Sequence, residues 1–544
     1  MSLRNLGNLL ALVSIFLVTH VFGQTDFDWG SVAASDNLTW VECYSSTIQC
    51  SRLSAPMNYS NPSAGSFSLA LIRIPSPLTG TASYRGPVLF NPGGPGGSGV
   101  EAILGFGAQI SKAVGPEFDV LSFDPRGIAN STPVISFFKT DVERAAFDFG
   151  PHATDPTATP DVLPSQWAHY QALGRLAKDR DTAGVLAHVS TDNVARDMLR
   201  IVQAHGQTKL QYWGISYGSV LGATFATLFP DKVERLLIDG VLDMGGYFAP
   251  DFANEIIDAD KVLQAFFDEC HKAGPTACAF YANSSAAISH KLDTLYQKVL
   301  AQPVPAYSPS LPQYGFVDHP TLKNAILVSF YQPYSSFSAL AQGLALLENG
   351  DGSALYQLST PRVAEPVLAI VCGDAAKVTD DAATLKKYVK SIEKISSFSS
   401  IVAGVRLVCS GWRVNPDNFK GPVGGVTSFP LLLIGNTADP VTAIAGAKKT
   451  AKQFPGSVVL TQDGLGHTSF ASPSACTIGH IQAYFQNGTL PAVNTVCPVT
   501  EPLFPLPSTN STQTPRELHQ EISLAEVTVE LRNSYRRVAR GGFF

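Results

Sequence analysis

The stretch KLQYWGISYGSVLGATFATLFP, Lys209 to Pro230, decides the reading of this chain. A strand-like run ends in Gly214-Ile215-Ser216-Tyr217-Gly218, and a helix-like run follows. A serine on such a sharp, strained elbow has its hydroxyl within reach of a base, and backbone N–H groups can meet the oxyanion that develops when it attacks. A bare five-residue match also fits a glycine-rich turn around an ordinary serine. The partners available to Ser216 decide between the two.

Three further segments supply them. FPLLLI, Phe429 to Ile434, reads as a buried strand, and GNTADPVT after it puts Asp439 in a loop just past the strand's carboxyl end, where open α/β sheets collect functional groups. Asp439-Pro440 also suits a helix start. SVVLT, Ser457 to Thr461, reads as the next strand, with His467 in the glycine-rich loop that follows it. Thr442 to Phe454 between them has room for one helix, so the acid and base frame a last βαβ unit. Of the 11 histidines, His480 falls on an expected helix and His519 in a polar tail, whereas His467 follows both serine and aspartate at a strand end. Asp463 is the rival acid, but a neighbour on the same loop is badly placed to hold the far side of the imidazole. The order nucleophile, acid, base is that of α/β-hydrolases.

PVLFNPGGPGGSG, Pro87 to Gly99, runs from a strand into a glycine-rich loop whose backbone N–H groups can turn toward a substrate oxygen. Gly93 or Gly94, with the N–H of Tyr217, then forms an oxyanion hole. A phosphate-binding loop fits less well: there is no GxxxxGK[ST] lysine and no GxGxxG with its ribose-binding acid.

Together these residues resemble the tripeptidyl aminopeptidase and proline iminopeptidase branch of the α/β-hydrolases. NPGGPGGSG, FDPRG (Phe123 to Gly127), GISYGS, LIDGVLD (Leu237 to Asp243), AIVCGD (Ala369 to Asp374), NTADPVT and GHTS stand in that family's order, from about Trp40 to Cys497. The resemblance implies a secreted serine exopeptidase that removes short N-terminal pieces from peptides through Ser216, Asp439 and His467. Ala129-Asn130 after FDPRG and Ala443 after DPVT depart from the family pattern without touching those three residues. A serine carboxypeptidase is a weaker match, because Ile215 stands where that family has a substrate-recognising acid and Gly97 where it has cysteine. An esterase or lipase would use the same triad on another acyl group. A non-catalytic binding protein would be expected to lack a triad member.

The expected fold is therefore α/β, an α/β-hydrolase with a mostly parallel central sheet, helices on both faces and an inserted mainly helical cap. Residues 24–244 form the first part of the core and residues 406–498 the second. Between them, 245–405, apolar residues recur at helical spacing, as in Leu263, Phe266, Phe267 and Cys270, then Ile288, Leu292, Leu295 and Val299. Such a cap over Ser216 would set substrate size. An aminopeptidase must also pair its substrate's ammonium with a carboxylate, and Asp268, Glu269 and Asp374 are candidates by location.

Composition fits a large globular enzyme: 544 residues, 45% hydrophobic and 15% charged. A net charge of -6 gives no basic footprint for nucleic acid. Arg4, the apolar run Leu9 to Val18 and the small residue at Gly23 make residues 1–23 a secretory signal, since the run is well short of the ~20 residues of a membrane span. Secretion lets the eight cysteines pair. Of about 105 possible connectivities, their clustering predicts Cys43 with Cys50, Cys270 with Cys278, Cys372 with Cys409 and Cys476 with Cys497; the absence of CxxC spacing argues against zinc. Sequons at Asn37, Asn58, Asn130, Asn283, Asn487 and Asn510 allow glycosylation. The chemistry needs no cofactor and no metal, and the expected partner is a peptide substrate. Residues 499–544, rich in Pro, Ser and Thr, read as a peripheral tail.

Overall fold

In the computed structural model, residues 27–148, 162–309, 314–358, 365–416, 418–472 and 474–504 are described. The expected signal segment 1–23, the tail from 505 onward and the sequon at Asn510 lie outside them. Among the described residues there are twelve strands: β1 Val41–Cys43, β2 Ser45–Pro56, β3 Ser66–Ile74, β4 Pro87–Asn91, β5 Asp119–Phe123, β6 Leu210–Ile215, β7 Val233–Asp239, β8 Val304–Ala306, β9 Gly315–Val317, β10 Leu432–Ala438, β11 Val458–Leu465 and β12 Val496–Pro498. Ten form one sheet in the order β1-β2-β3-β5-β4-β6-β7-β10-β11-β12, while β8 and β9 make a separate hairpin. From β5 to β12 every pairing is parallel, and β1, β2 and β3 add an antiparallel edge. This is an α/β-hydrolase fold.

Period-two alternation explains the layers. Leu89, Leu121, Tyr212, Leu236 and Leu433 join one apolar cluster, and their neighbours Val88, Val120, Trp213, Leu237 and Leu432 join another on the opposite face. The helices Gly99–Val114 and Ala475–Asn487 cover the second face through Val100, Ile103, Phe106, Ile478 and Ile481. Thr191–Ala204 and Tyr217–Leu228 cover the first through Val194, Met198, Val220 and Leu221. With both faces buried, the central strands read as continuous apolar runs.

Between β7 and β10 the chain leaves the sheet and makes the β8–β9 hairpin and a series of helices, from Met244–Phe248 to Ser399–Gly411. The expected boundary at 405/406 falls inside that last helix, because its apolar periodicity continues through Leu407, Val408 and Gly411; the return to the sheet is at Leu432. A second excursion, Val162–Arg180 between β5 and β6, packs on Ser399–Gly411 at Gly174, where a Cβ would lie 1.9 Å from the Gly411 carbonyl oxygen. Leu503 and Phe504, placed in the tail by sequence, are buried, and the Phe504 ring packs against Phe266 and Phe337 of the inserted helices.

Disulfides join Cys43–Cys50, Cys270–Cys278, Cys372–Cys409 and Cys476–Cys497. Asn37, Asn283 and Asn487 are exposed and Asn58 is half-buried. Asn130 is half-buried, and its side-chain amide donates to Asp124 Oδ2 at 2.9 Å. Among the described residues, no helix is long and apolar enough to cross a membrane.

The FDPRG motif explains itself through Arg126, which is fully buried. Its Nε donates to Asp197 Oδ2 at 2.7 Å and its Nη1 to the carbonyls of Met57 and His188 at 3.0 and 2.9 Å. Removing one partner of a buried pair strands the other charge. Asp197→Ala should therefore cost about 3–5 kcal/mol in denaturant unfolding, whereas Asp231→Ala, which breaks the exposed pair with Lys232, should leave the unfolding midpoint close to that of the wild type.

Candidate active site

The sheet order reverses at β4: the chain passes from β4 to β5 on one side, then returns to place β6 on the other. The crevice past the carboxyl ends of β4 and β6 is the switch point at which open α/β sheets bind ligands. Both glycine-rich motifs end there. Ser216, the residue after β6, has φ 57° and ψ -123°, a left-handed conformation unusual for a residue with a side chain. Its N–H donates to the Asp239 carbonyl at 2.9 Å. Gly214 is required because a Cβ there would lie 2.4 Å from the Gly218 carbonyl oxygen. Across the crevice Gly93, at φ 85°, packs so closely that a Cβ would sit 2.5 Å from the Ile215 oxygen and 3.1 Å from Tyr217 N. Asp124 of FDPRG holds the far end of this loop, accepting from the Ser98 hydroxyl at 2.6 Å and from Val100 N at 3.1 Å. The Gly93 N–H is occupied by Asn91 Oδ1 at 3.0 Å. Of the two glycines offered as oxyanion donors, Gly94 is the one that lines the cleft.

Asp439 directly follows β10, which runs four residues further than its apolar sequence suggests because it pairs with β11 up to Ala438 and Leu465. Asp439 is fully buried, and its carboxylate receives Val441 N at 3.0 Å, Thr442 N at 2.8 Å, Thr468 N at 2.9 Å and the Thr442 hydroxyl at 2.7 Å. His467 Nδ1 lies 3.1 and 3.0 Å from its two oxygens. Burial pushes this carboxyl up, but His467 and the donors outweigh it and hold it below the usual carboxylate range. Asp463 lies within β11 and accepts the Thr437 hydroxyl on the exposed side, so it is not the partner of His467.

His467 is itself fixed from several elements. Its N–H donates to the Tyr331 carbonyl at 2.9 Å, and the Tyr331 ring stands edge-on to the imidazole with centroids 5.1 Å apart. Thr442 Oγ1 lies 3.0 Å from Nδ1. Since the single Thr442 proton goes to Asp439, its oxygen accepts here. Ser216 and His467 approach through β7: Ser216 N is bonded to Asp239 O, and a Cβ on Gly240 would lie 3.4 Å from His467 Cε1. Ser216, Gly94, Thr442 and Tyr331 line one cleft with Leu242, Phe252 and Val441.

Two of these residues carry no signal in the sequence. Tyr331 and Phe252 lie on the excursion after β7, where nothing in the pattern distinguishes them, whereas Leu242 falls within LIDGVLD. Asp239, in the same motif, ends β7 as a tie: its buried carboxylate receives Ser469 N at 3.0 Å and the Ser469 hydroxyl at 2.5 Å, and burial pushes it up to about 7. The three acids proposed for a substrate ammonium are not brought to the cleft. Asp268 is exposed and bonds Gln264 and Ser285, and Glu269 pairs with Lys272 at 3.3 Å. Asp374 is fully buried and its oxygens are taken by Thr191 and Tyr247. His480 lies beside Cys476 and Cys497, a spacing that could suit a metal, but those sulfurs are bonded to each other.

Residues 395–497 match the family model described as TAP-like protein. The chain is 28% identical to the serine protease Hip1 of Mycobacterium tuberculosis (strain ATCC 25618 / H37Rv) over 491 residues, covering 84% of this chain and 90% of that one. It is 27% identical to a tripeptidyl aminopeptidase of Streptomyces lividans over 507 residues, 87% of each chain. A carboxylesterase B of the same M. tuberculosis strain is 26% identical over 471 residues, 83% of this chain and 86% of that one.

Gly93→Ala should push the glycine loop away from the elbow. The expected outcome is a folded protein by circular dichroism whose Ser216 reacts with an alkyl fluorophosphonate at least about a hundredfold more slowly, the size of effect seen when one oxyanion donor is lost.

Proposed function

We propose that this α/β-hydrolase, TAP-like over residues 395–497, is a secreted serine exopeptidase that releases short pieces from the amino end of peptides. What supports the reading is the buried Asp439–His467 pair, whose contacts Thr442 and Tyr331 line the same cleft as Ser216. With Nδ1 committed to Asp439, the imidazole keeps Nε2 for the serine.

His467 Nε2 takes the proton of Ser216 Oγ as that oxygen bonds the scissile carbonyl carbon. The carbonyl electron pair moves onto oxygen, which the N–H groups of Gly94 and Tyr217 receive. The oxyanion collapses, the C–N bond breaks, and the leaving amine departs with the proton from His467. Water, deprotonated by His467, then attacks the acyl-enzyme, and Ser216 leaves with its proton restored. Asp439 holds the imidazole tautomer and stabilises the imidazolium.

The helices inserted between β7 and β10 act as a cap, since Phe252 and Tyr331 from that region line the cleft. Leu242, Phe252 and Val441 give the acyl side an apolar lining, which favours an apolar, uncharged residue next to the scissile bond. Secretion is supported by four disulfides and by the apolar amino-terminal run. A second reading, an esterase with the same triad, is favoured by the relative named carboxylesterase B.

Incubating the purified protein with a mixed peptide pool should yield fragments lost from the amino end by mass spectrometry, and Ser216→Ala should yield none while melting like the wild type. Faster turnover of p-nitrophenyl esters than of any peptide anilide would favour the esterase. Trimming from the carboxyl end would overturn the aminopeptidase assignment.

Asp439 is held below the usual carboxylate range, so its contribution to stability is present at neutral pH and is lost only as the pH falls below the ordinary aspartate pKa of ~3.9; a denaturation midpoint that changes with pH at neutrality but not in acid would count against this. Asp439→Asn should lower kcat by about 10⁴-fold through the wrong tautomer.

A further inference from the structure

The helix Glu365–Asp374, inserted between β7 and β10, meets the glycine loop at one end and the hydrogen bonds of Tyr217 at the other. At its start, Pro366 and Val367 abut the glycine loop, where a Cβ on Gly96 would lie 3.2 Å from Pro366 Cβ and 3.8 Å from Val367. At its end, Asp374 reaches the residue that follows the nucleophile. Asp374 Oδ1 accepts Thr191 N at 2.8 Å, and Oδ2 accepts the Thr191 hydroxyl at 2.5 Å and the Tyr247 hydroxyl at 2.7 Å. Thr191 Oγ1 also lies 2.5 Å from the Tyr217 hydroxyl. With Asp374 ionised, the single threonine proton goes to the carboxylate and Tyr217 donates to Thr191. The hydrogen bonds run in one direction, Tyr217 to Thr191 to Asp374.

Two fastenings keep the helix in place. Cys372 is bonded to Cys409 of Ser399–Gly411, and Lys420 Nζ donates to the carbonyls of Gly373 at 3.0 Å and Ala375 at 3.1 Å. A buried carboxylate is an expensive choice where packing alone is needed. Burial pushes Asp374 up to about 7, with Asp192 adding to the push and the bonds from Thr191 and Tyr247 opposing it. Asn418 approaches the same carboxylate at 3.5 Å. What a carboxylate supplies and an amide does not is acceptor capacity at both oxygens, which lets it orient two hydroxyls and one N–H at once.

We propose that Asp374 is a positioning residue that fixes Tyr217 through Thr191, so that the helix Glu365–Asp374 sets the spacing between the two N–H donors that meet the substrate oxyanion. This rests on Ser216 being the nucleophile. The Tyr217 ring is stiff, so holding its hydroxyl constrains the backbone N–H at its other end.

The test uses the full protein, a p-nitrophenyl ester as substrate and an alkyl fluorophosphonate as probe of Ser216. Asp374→Asn, Thr191→Val and Tyr217→Phe should each lower kcat about ten- to a hundredfold with KM little changed, and slow phosphonylation in parallel. Thr191→Ser, which keeps the hydroxyl, should retain wild-type kcat. Tyr217→Phe combined with Thr191→Val should be no worse than either alone, because both cut the same chain. Tyr217→Phe removes a single oxygen and carries the test if Asp374→Asn does not fold. Wild-type kcat and phosphonylation rates in folded Tyr217→Phe, with only the melting temperature lowered, would overturn the proposal. Failure of the nucleophile assignment looks different: the wild type would not be labelled at Ser216, and Ser216→Ala would keep its turnover.

Discussion

One backbone hydrogen bond organises the catalytic end of the sheet, that from Ser216 N to the Asp239 carbonyl. A left-handed residue with a side chain is unfavourable by itself and persists only where its surroundings over-determine it. Here β6 and β7 pair in parallel up to Ile215 and Asp239, and the bond past the last pair pins the serine at the turn. The Asp239 carboxylate then takes the N–H and hydroxyl of Ser469, two residues beyond His467. Elbow and histidine loop thus hang from one residue. Gly240 comes next because a Cβ there would strike Thr468 at 2.6 Å.

Three buried acids surround this point, and their environments separate them. Asp439 faces an imidazole and several N–H donors and is held below the usual carboxylate range. Asp239 and Asp374 receive hydroxyl and amide donors but no imidazole bond, and burial pushes both up to about 7. Desolvation acts on all three in the same direction; the direct bond from His467, with the donors beside it, holds Asp439 low.

The excursion after β7 contributes more than a lid. Tyr331 supplies a carbonyl to His467 and a ring edge to its imidazole, Phe252 lines the cleft, and Asp374 reaches Tyr217 through Thr191. Relatives that share most of this chain's length carry the names of a serine protease, a tripeptidyl aminopeptidase and a carboxylesterase.

The sequence by itself determined the core strands, the elbow at Ser216, the glycine loop and the loops that carry Asp439 and His467. These are local properties: apolar runs fix buried strands, and glycine marks turns that no other residue can make. It also grouped the cysteines into the neighbouring pairs that the fold joins. Tertiary structure alone decided the rest. Whether Asp374 meets a substrate ammonium or a tyrosine network depends on Thr191, 183 residues away in the chain. An acid's role is set by the donors packed against it, and over such separations no spacing rule in the sequence says which donors those are.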